Sequence, residues 1–315
     1  MVNTLRNAPC SPSDRQLWSL LDFVHFAIGR IRSIELAPLG ITVEQAALLF
    51  FVQQRGGVTT AKQIEELTYR QHNSISISVN RICRLGLMTR RPAPGKRSKE
   101  IILTSKGESI LRAIPMDSLK AVFGICGIQE RRELSNYLHT LLGRAKELLG
   151  TPTVTPFMKH LGGEDGTQSD AQDQNPSDHS LWSSFDGTTF CISRLRQMEL
   201  AKFGLTVEQS SILQLLGSEG RTAKTLSQMT LRQNNSINII TSRMISTGLL
   251  EKEKLPGRAS TFRLTKEGVT LIEGVSWNAL TLTFSSLTSP QRIKLREILS
   301  SLRLRVLSLL YQANI

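Results

Sequence analysis

Apolar residues recur at three- and four-residue steps from Asp14 to about Ala37, at Leu17, Leu20, Leu21, Val24, Ile28 and Ile31. That period predicts a long amphipathic helix. Ser13-Asp14-Arg15-Gln16 has the form of a capping box at its start, and Pro38-Leu39-Gly40 ends it. Thr42-Val43-Glu44-Gln45 is a second capping box and opens a helix to about Gln54, stopped by Gly56-Gly57. A short helix from Thr60 to about Leu67 and another from Asn73 to Leu85 follow, the latter ended by Gly86. Met88–Pro92 and Glu100–Thr104 read as short strands around a basic turn, Pro94-Gly95-Lys96-Arg97-Ser98. Two longer helical patterns close the segment, about Lys106–Phe123 with a kink expected at Pro115, and Gln129–Leu149.

The same string then repeats. Leu39-Gly40-Ile41-Thr42-Val43-Glu44-Gln45 returns as Phe203-Gly204-Leu205-Thr206-Val207-Glu208-Gln209. Between 70–87 and 232–249, nine of eighteen positions are identical. The offset falls from 164 to 162 to 161, with each change at an expected turn. In the second copy helices are predicted at about 183–202, 206–217, 223–229, 235–247, 267–286 and 290–311, with a hairpin over 250–265. A period this long makes each copy a domain rather than a solenoid unit. The expected organisation is a tail (1–13), one domain (14–150), a Gly-, Pro-, Ser-, Asp- and Gln-rich linker (151–180) and a second domain (181–315).

Charge sharpens this picture. Residues 1–150 carry 21 Lys/Arg against 12 Asp/Glu, and 181–315 carry 17 against 9, whereas the linker is acidic with 1 against 5. Two basic domains joined by an acidic connector point to a polyanionic partner for each. Cys10, Cys83, Cys126 and Cys191 are scattered without C-x-x-C spacing, so they read as free thiols and not as a zinc ribbon or a redox pair. The five histidines lack metal-ligand spacing, and no nucleotide-binding loop or nucleophile elbow is present. No cofactor and no enzymatic activity are expected. With no apolar run of about 18 residues and no leader-like N-terminus, the expected location is cytoplasmic, away from membrane.

Short helix, turn, helix and basic hairpin describe a winged helix-turn-helix. Each copy resembles the MarR family of transcriptional regulators along nearly its whole length. The motifs that carry the resemblance are Ile41-Thr42-Val43-Glu44-Gln45, Gly86-Leu87 and Leu103-Thr104-Ser105-Lys106-Gly107. Their counterparts are Leu205-Thr206-Val207-Glu208-Gln209, Gly248-Leu249 and Leu264-Thr265-Lys266-Glu267-Gly268. The fold class expected is mainly α with small β-hairpin wings. Since the family acts as homodimers, the resemblance implies that the two domains form an intramolecular pseudo-dimer through their N- and C-terminal helices; the alternative is two domains that each pair with another chain. It implies double-stranded promoter DNA as partner, repression as the role, and control by a small phenolic or lipophilic effector. Trp18, Phe23, Phe26 and Phe50 are candidates to line the effector cleft, although an aromatic stripe at helical spacing also serves as plain core.

The fourth helix of each copy is the candidate reader. Ile75, Val79, Ile82 and Leu85 fall on one face and should pack inward. The other face presents Asn73, Ser74, Ile77, Asn80, Arg81 and Arg84, matched by Asn235, Ser236, Ile239, Ser242 and Arg243. Asn suits adenine, Arg suits guanine or phosphate, and an aliphatic side chain suits a thymine methyl. Ile77 and Ile239 either make that last contact or belong to the core in a shifted register. Arg70-Gln71 and Arg232-Gln233, in the turn before each reader, are placed for backbone phosphates. Lys96 and Arg97 in one wing and Arg258 in the other are candidates for the minor groove. The expectation is a sequence-specific regulator; the alternatives are a non-specific architectural DNA binder and a winged-helix scaffold for protein interactions.

Overall fold

A computed structural model describes residues 12–68, 72–92, 99–150, 175–217, 220–254 and 259–313. They are mainly helical with two small antiparallel sheets. The chain divides into two compact units, each drawing on both halves of the sequence. The first unit comprises Ala27–Cys191 with the segment from Ser289 onward. The second comprises the segment ending at Phe26 with Ile192–Thr288.

The first unit takes the end of α1 (Pro12–Leu36), then α2 (Val43–Gln54), β1 (Val58–Thr60), α3 (Ala61–Thr68), α4 (His72–Arg84), β2 (Met88–Pro92) and β3 (Lys99–Leu103). Thr42 and Gln45 form the expected reciprocal box at the start of α2, with Gln45 N–H donating to Thr42 Oγ1 at 3.2 Å and Thr42 N–H to Gln45 Oε1 at 2.8 Å. α1 already includes Pro12, so Ser13, expected to precede the helix, lies within its bounds. The sheet order is β1-β3-β2, with Val58 opposite Ile102 and Met88 opposite Leu103. Leu36, Leu49, Val52, Ile64, Ile75, Val79 and Ile82 are fully buried in one core between these helices and the sheet.

α5 (Ser105–Ala113), α6 (Asp117–Phe123) and α7 (Ile128–Leu148) follow, and α14 (Ser289–Gln312) packs on α6 and α7. The single kinked helix expected over 106–123 is two helices. The break recurs in the second copy, where no proline stands between α12 (Lys266–Gly274) and α13 (Asn278–Phe284). Proline is therefore not its common cause. At both breaks a buried arginine takes a backbone carbonyl: Arg32 Nη1 donates to Pro115 O at 2.6 Å, and Arg196 Nη1 to Ser276 O at 2.8 Å. The start of α8 (Asp178–Ala201) belongs to the first unit. Arg131 Nη2 meets Asp178 Oδ1 at 2.5 Å, and Thr188 Oγ1 donates to Leu138 O at 3.0 Å.

The second unit repeats the pattern with α9 (Val207–Leu216), β4 (Arg221–Thr222), α10 (Ala223–Thr230), α11 (Asn234–Ser246), β5 (Leu250–Glu253) and β6 (Thr261–Leu264). Its sheet order is β4-β6-β5, and Thr206 caps α9 as Thr42 caps α2. Leu205, Leu213, Leu226, Ile237, Met244, Leu250 and Phe262 form its core. Leu231 joins α10 to α11 in the left-handed region, at φ 55°, a costly conformation for a branched side chain. Ser227 Oγ holds the turn by donating to Arg232 O at 2.5 Å.

Candidate nucleic-acid interface

Each reader helix is fixed from beneath and from its C-terminal end. Ile75, Val79 and Ile82 are fully buried under α4, and Ile237 and Met244 under α11. Thr241, also buried, satisfies its hydroxyl on Ile237 O at 2.9 Å. Both helices end in a Schellman motif. Leu87 N–H donates to Ile82 O at 3.2 Å and Gly86 N–H to Cys83 O at 3.0 Å; Leu249 and Gly248 do the same with Met244 and Ile245. Gly86 and Gly248 carry the required positive φ of 72° and 74°. This accounts for the Gly-Leu pair in each copy. It also corrects one expectation: α4 ends at Arg84, so Leu85 turns out to 40% exposure and Leu87 enters the core in its place.

The wing is tied to the reader through the Thr-x-x-Gly pair. Thr104 Oγ1 donates to Gly86 O at 2.7 Å while accepting from Gly107 N–H at 3.0 Å. Thr265 does the same with Gly248 and Gly268 at 2.7 and 3.0 Å. In the first unit Arg90 on β2 adds a bond to Asn80 Oδ1 on α4 at 2.7 Å.

Above these supports, Ile77 is 52% exposed and Ile239 is 54% exposed. The shifted-register alternative is thereby excluded, because neither isoleucine belongs to the core. Ser74, Arg81 and Arg84 share the exposed face of α4; Asn235 and Arg243 share that of α11, with Ser236 half-buried beside them. Among the described residues, no carboxylate pairs with Arg81, Arg84 or Arg243. Gln233 is exposed at the N-cap of α11 and makes no side-chain cap bond. Arg70, Gln71, Lys96, Arg97 and Arg258 lie outside the described residues, as does the Asn73 side chain.

Arg232 is engaged by protein groups. It pairs with Glu208 Oε1 at 3.6 Å and lies 5.2 Å over the Phe26 ring. Asp22, one turn back on α1, is half-buried; desolvation raises its pKa, against the lowering influence of His25 and Arg232. In the first unit the residue matching Glu208 is Glu44, and it is taken by the reader itself, accepting from buried Ser78 Oγ at 2.8 Å.

The four effector-cleft candidates are not gathered in one unit. Trp18, Phe23 and Phe26 stand on the α1 segment of the second unit, and Phe50 lies in the first. Trp18 is 5% exposed and the others are half-buried. Phe50 packs on His179 with ring centroids 4.3 Å apart. Burial, aided by the Arg32 charge, pulls the His179 pKa down to about 4, so its imidazole is neutral near pH 7.

A pair of buried ion clusters was not foreseen. Arg32 bonds Glu35, which also accepts from Ser118 N–H at 2.9 Å and from the Ser118 hydroxyl. Arg196 bonds Glu199, which accepts from Ser276 Oγ at 2.7 Å and Ala279 N–H at 3.2 Å. Arg196 also stacks 4.2 Å from the Trp277 ring centroid. The signal for this was an Arg-x-x-Glu pair recurring at the 164-residue offset.

The supported hairpin and exposed helix face define a winged helix-turn-helix. Residues 39–97 match the MarR family, so a MarR family domain occupies that segment. No curated protein matches the chain. Among solved structures it is similar to a ligand-free organohalide-sensing transcriptional regulator, at 24% identity and a TM-score of 0.44, over 50% of this chain and 97% of that one. It is also similar to wild-type apo MarR from E. coli, at 19% identity and 0.31, over 35% and 86%. A MarR family protein of Mycobacterium tuberculosis in complex with salicylic acid matches at 20% identity and 0.30, over 35% and 85%. Among the described residues no single helix is long and apolar enough to cross a membrane.

Proposed function

We propose that the chain is a sequence-specific regulator of transcription that binds double-stranded promoter DNA, with α4 and α11 as its two readers and repression as its role. The observation that carries this reading is the twinned exposed face. On each reader an isoleucine more than half exposed stands beside an arginine and short polar groups, while Ile75, Val79 and Ile82 on α4 and Ile237 and Met244 on α11 are fully buried. Exposed apolar surface forfeits roughly 25 cal/mol per Å² that burial would return. A side chain kept outward at the same place in both copies is suited to a thymine methyl, and Arg81 and Arg243 to guanine. Both wings would then reach toward the minor groove.

We infer further that the two halves act as an intramolecular pseudo-dimer. The support is that each compact unit is assembled from segments of both halves, as with Phe26 against Arg232 and Phe50 against His179. We also propose control by a small phenolic or lipophilic effector.

The test is a DNase footprint on DNA upstream of the gene, in roughly physiological salt because affinity is salt-dependent. Two protected half-sites about one helical turn apart support the reading. Ile77→Ala and Arg81→Ala should each weaken binding to that site about 5- to 150-fold while leaving non-specific binding nearly unchanged. Uniform weak protection abolished by salt would instead support an architectural binder, and none at all a scaffold. Salicylate and 2,4-dichlorophenol serve as effector probes, with release of the footprint as the readout.

A further inference from the structure

The two readers share a framework but differ on their exposed faces, and the differences fall into two kinds. Within α11, Asn234, Asn235 and Asn238 are all exposed. Asparagine is a poor helix former, and at exposed helical positions propensity decides. Three in the first five residues weaken the helix without helping the core. Asn234 and Asn238 are four apart, so they stand on one face and offer two amides to the same groove. The residue of α4 that matches Asn238 is Ser76, shorter and half-buried. Farther along, Asn80 of α4 has its amide oxygen taken by Arg90 at 2.7 Å.

The second kind concerns charge. Arg84 is exposed at the C-terminal end of α4, where a helix in the major groove runs toward the backbone. Its counterpart Ser246 carries no charge and turns its hydroxyl back on Arg243 O at 2.8 Å.

Resting on the DNA-binding reading above, we propose that the two half-sites are unlike. They share a common core read by Ile77 and Ile239 and by Arg81 and Arg243. The half under α11 carries an additional adenine, recognised by the Asn238 amide. The half under α4 lacks that discrimination and is held by an extra phosphate contact from Arg84. One reader adds specificity and the other adds grip, which two identical subunits cannot do.

Selection by the full-length protein from a random-sequence duplex pool tests this. The expected consensus is two half-sites with a common core and one adenine present on a single side. Asn238→Ala should flatten the preference at that base pair about 5- to 150-fold and leave the other half-site unchanged. Asn238→Ser installs the residue of the other copy and should drive the selected site toward a palindrome. Both substitutions are at an exposed position, and the alanine favours helix, so folding is retained. Arg84→Ala should weaken binding to all sequences alike and lower the slope of log affinity against log salt by about 0.9. A palindromic consensus from the unaltered protein, or an Asn238 variant that changes both halves or neither, would overturn this inference while leaving specific DNA binding standing. Absence of any enriched sequence would overturn the DNA-binding reading itself.

Discussion

Gly107 and Gly268 bear a prediction of opposite sign from that at other helical glycines. A Cβ built on Gly107 would stand 2.1 Å from Leu87 O and 2.7 Å from Leu103 Cδ1; on Gly268 it would stand 2.2 Å from Leu249 O. Normal carbon–oxygen contact begins at about 3.3 Å, so the carbonyl must retreat by more than 1 Å. Leu87 O is not free to do so. It accepts from Thr104 N–H at 3.1 Å, and Leu87 N–H is itself committed to the end of α4. Overpacking costs about 1–3 kcal/mol and a lost backbone hydrogen bond about 1 kcal/mol. Gly107→Ala should therefore destabilise the first unit by about 2–4 kcal/mol. Gly29 and Gly143, in α1 and α7, have no described atom within 4 Å of an added methyl. There alanine should stabilise by about 0.5–1 kcal/mol through the entropy of the unfolded chain.

Urea unfolding followed by far-ultraviolet circular dichroism reads both effects as shifts in midpoint at unchanged slope. The reasoning fails if Gly107→Ala is within about 0.5 kcal/mol of the parent, or if Gly143→Ala is equally damaging. Because Thr104 and Gly107 link wing to reader, Gly107→Ala should also weaken DNA binding at temperatures where the protein remains folded.

Three further outcomes follow from burial. Glu199→Ala strips buried Arg196 of its counter-ion and should cost about 3–5 kcal/mol, whereas Glu100→Ala, at the exposed pair with Arg91, should cost under about 1 kcal/mol; a similar cost for both in thermal unfolding would refute the distinction. His179 has a folded pKa of about 4, below its unfolded value near 6.5, so its contribution is full above pH 6.5 and is lost as pH falls toward 4, up to about 3 kcal/mol. Stability measured between pH 4 and 7 should fall less steeply in His179→Gln than in the parent; identical slopes would count against the assignment. Burial pushes the Cys126 and Cys191 thiols up to about 11 and about 12, so in a Cys10→Ser background half-buried Cys83 should react with Ellman's reagent at pH 8 well before either.

What was legible in the sequence was whatever a period or a local motif encodes. The capping boxes at Thr42 and Thr206, the Gly-Leu helix ends and the alternation of inner and outer faces on α4 and α11 are all local. β1 and β4 were not legible, since segments of three and two residues are too short to show a period of two. The break between α5 and α6 was foreseen at the right place for an incomplete reason: Pro115 was visible, but the buried arginine common to both breaks depends on a partner some eighty residues distant. Arg-x-x-Glu reads locally as a surface i,i+3 pair, and only the tertiary fold shows Arg32 and Arg196 to be buried. Arg232 looked free beside the reader because Glu208 and Phe26 reach it from other elements. The exposed reader residues were legible because an amphipathic helix declares its outer face by what its inner face must be.

The same asymmetry of information bears on how two copies in one chain can diverge. Their shared features are those whose change is costly: the Thr-x-x-Gly ties, the Schellman ends, the buried Arg–Glu clusters and the aliphatic rows under each reader. Most surface substitutions alter stability by less than about 0.5 kcal/mol, so Ser76 against Asn238 or Arg84 against Ser246 can vary almost without consequence for folding. In a homodimer every such change appears twice, and a site read by it must change symmetrically. In this chain each reader changes alone. An internal repeat therefore permits what symmetry forbids, and the face on which the copies differ most at least cost to the fold is where differences in recognition should be sought.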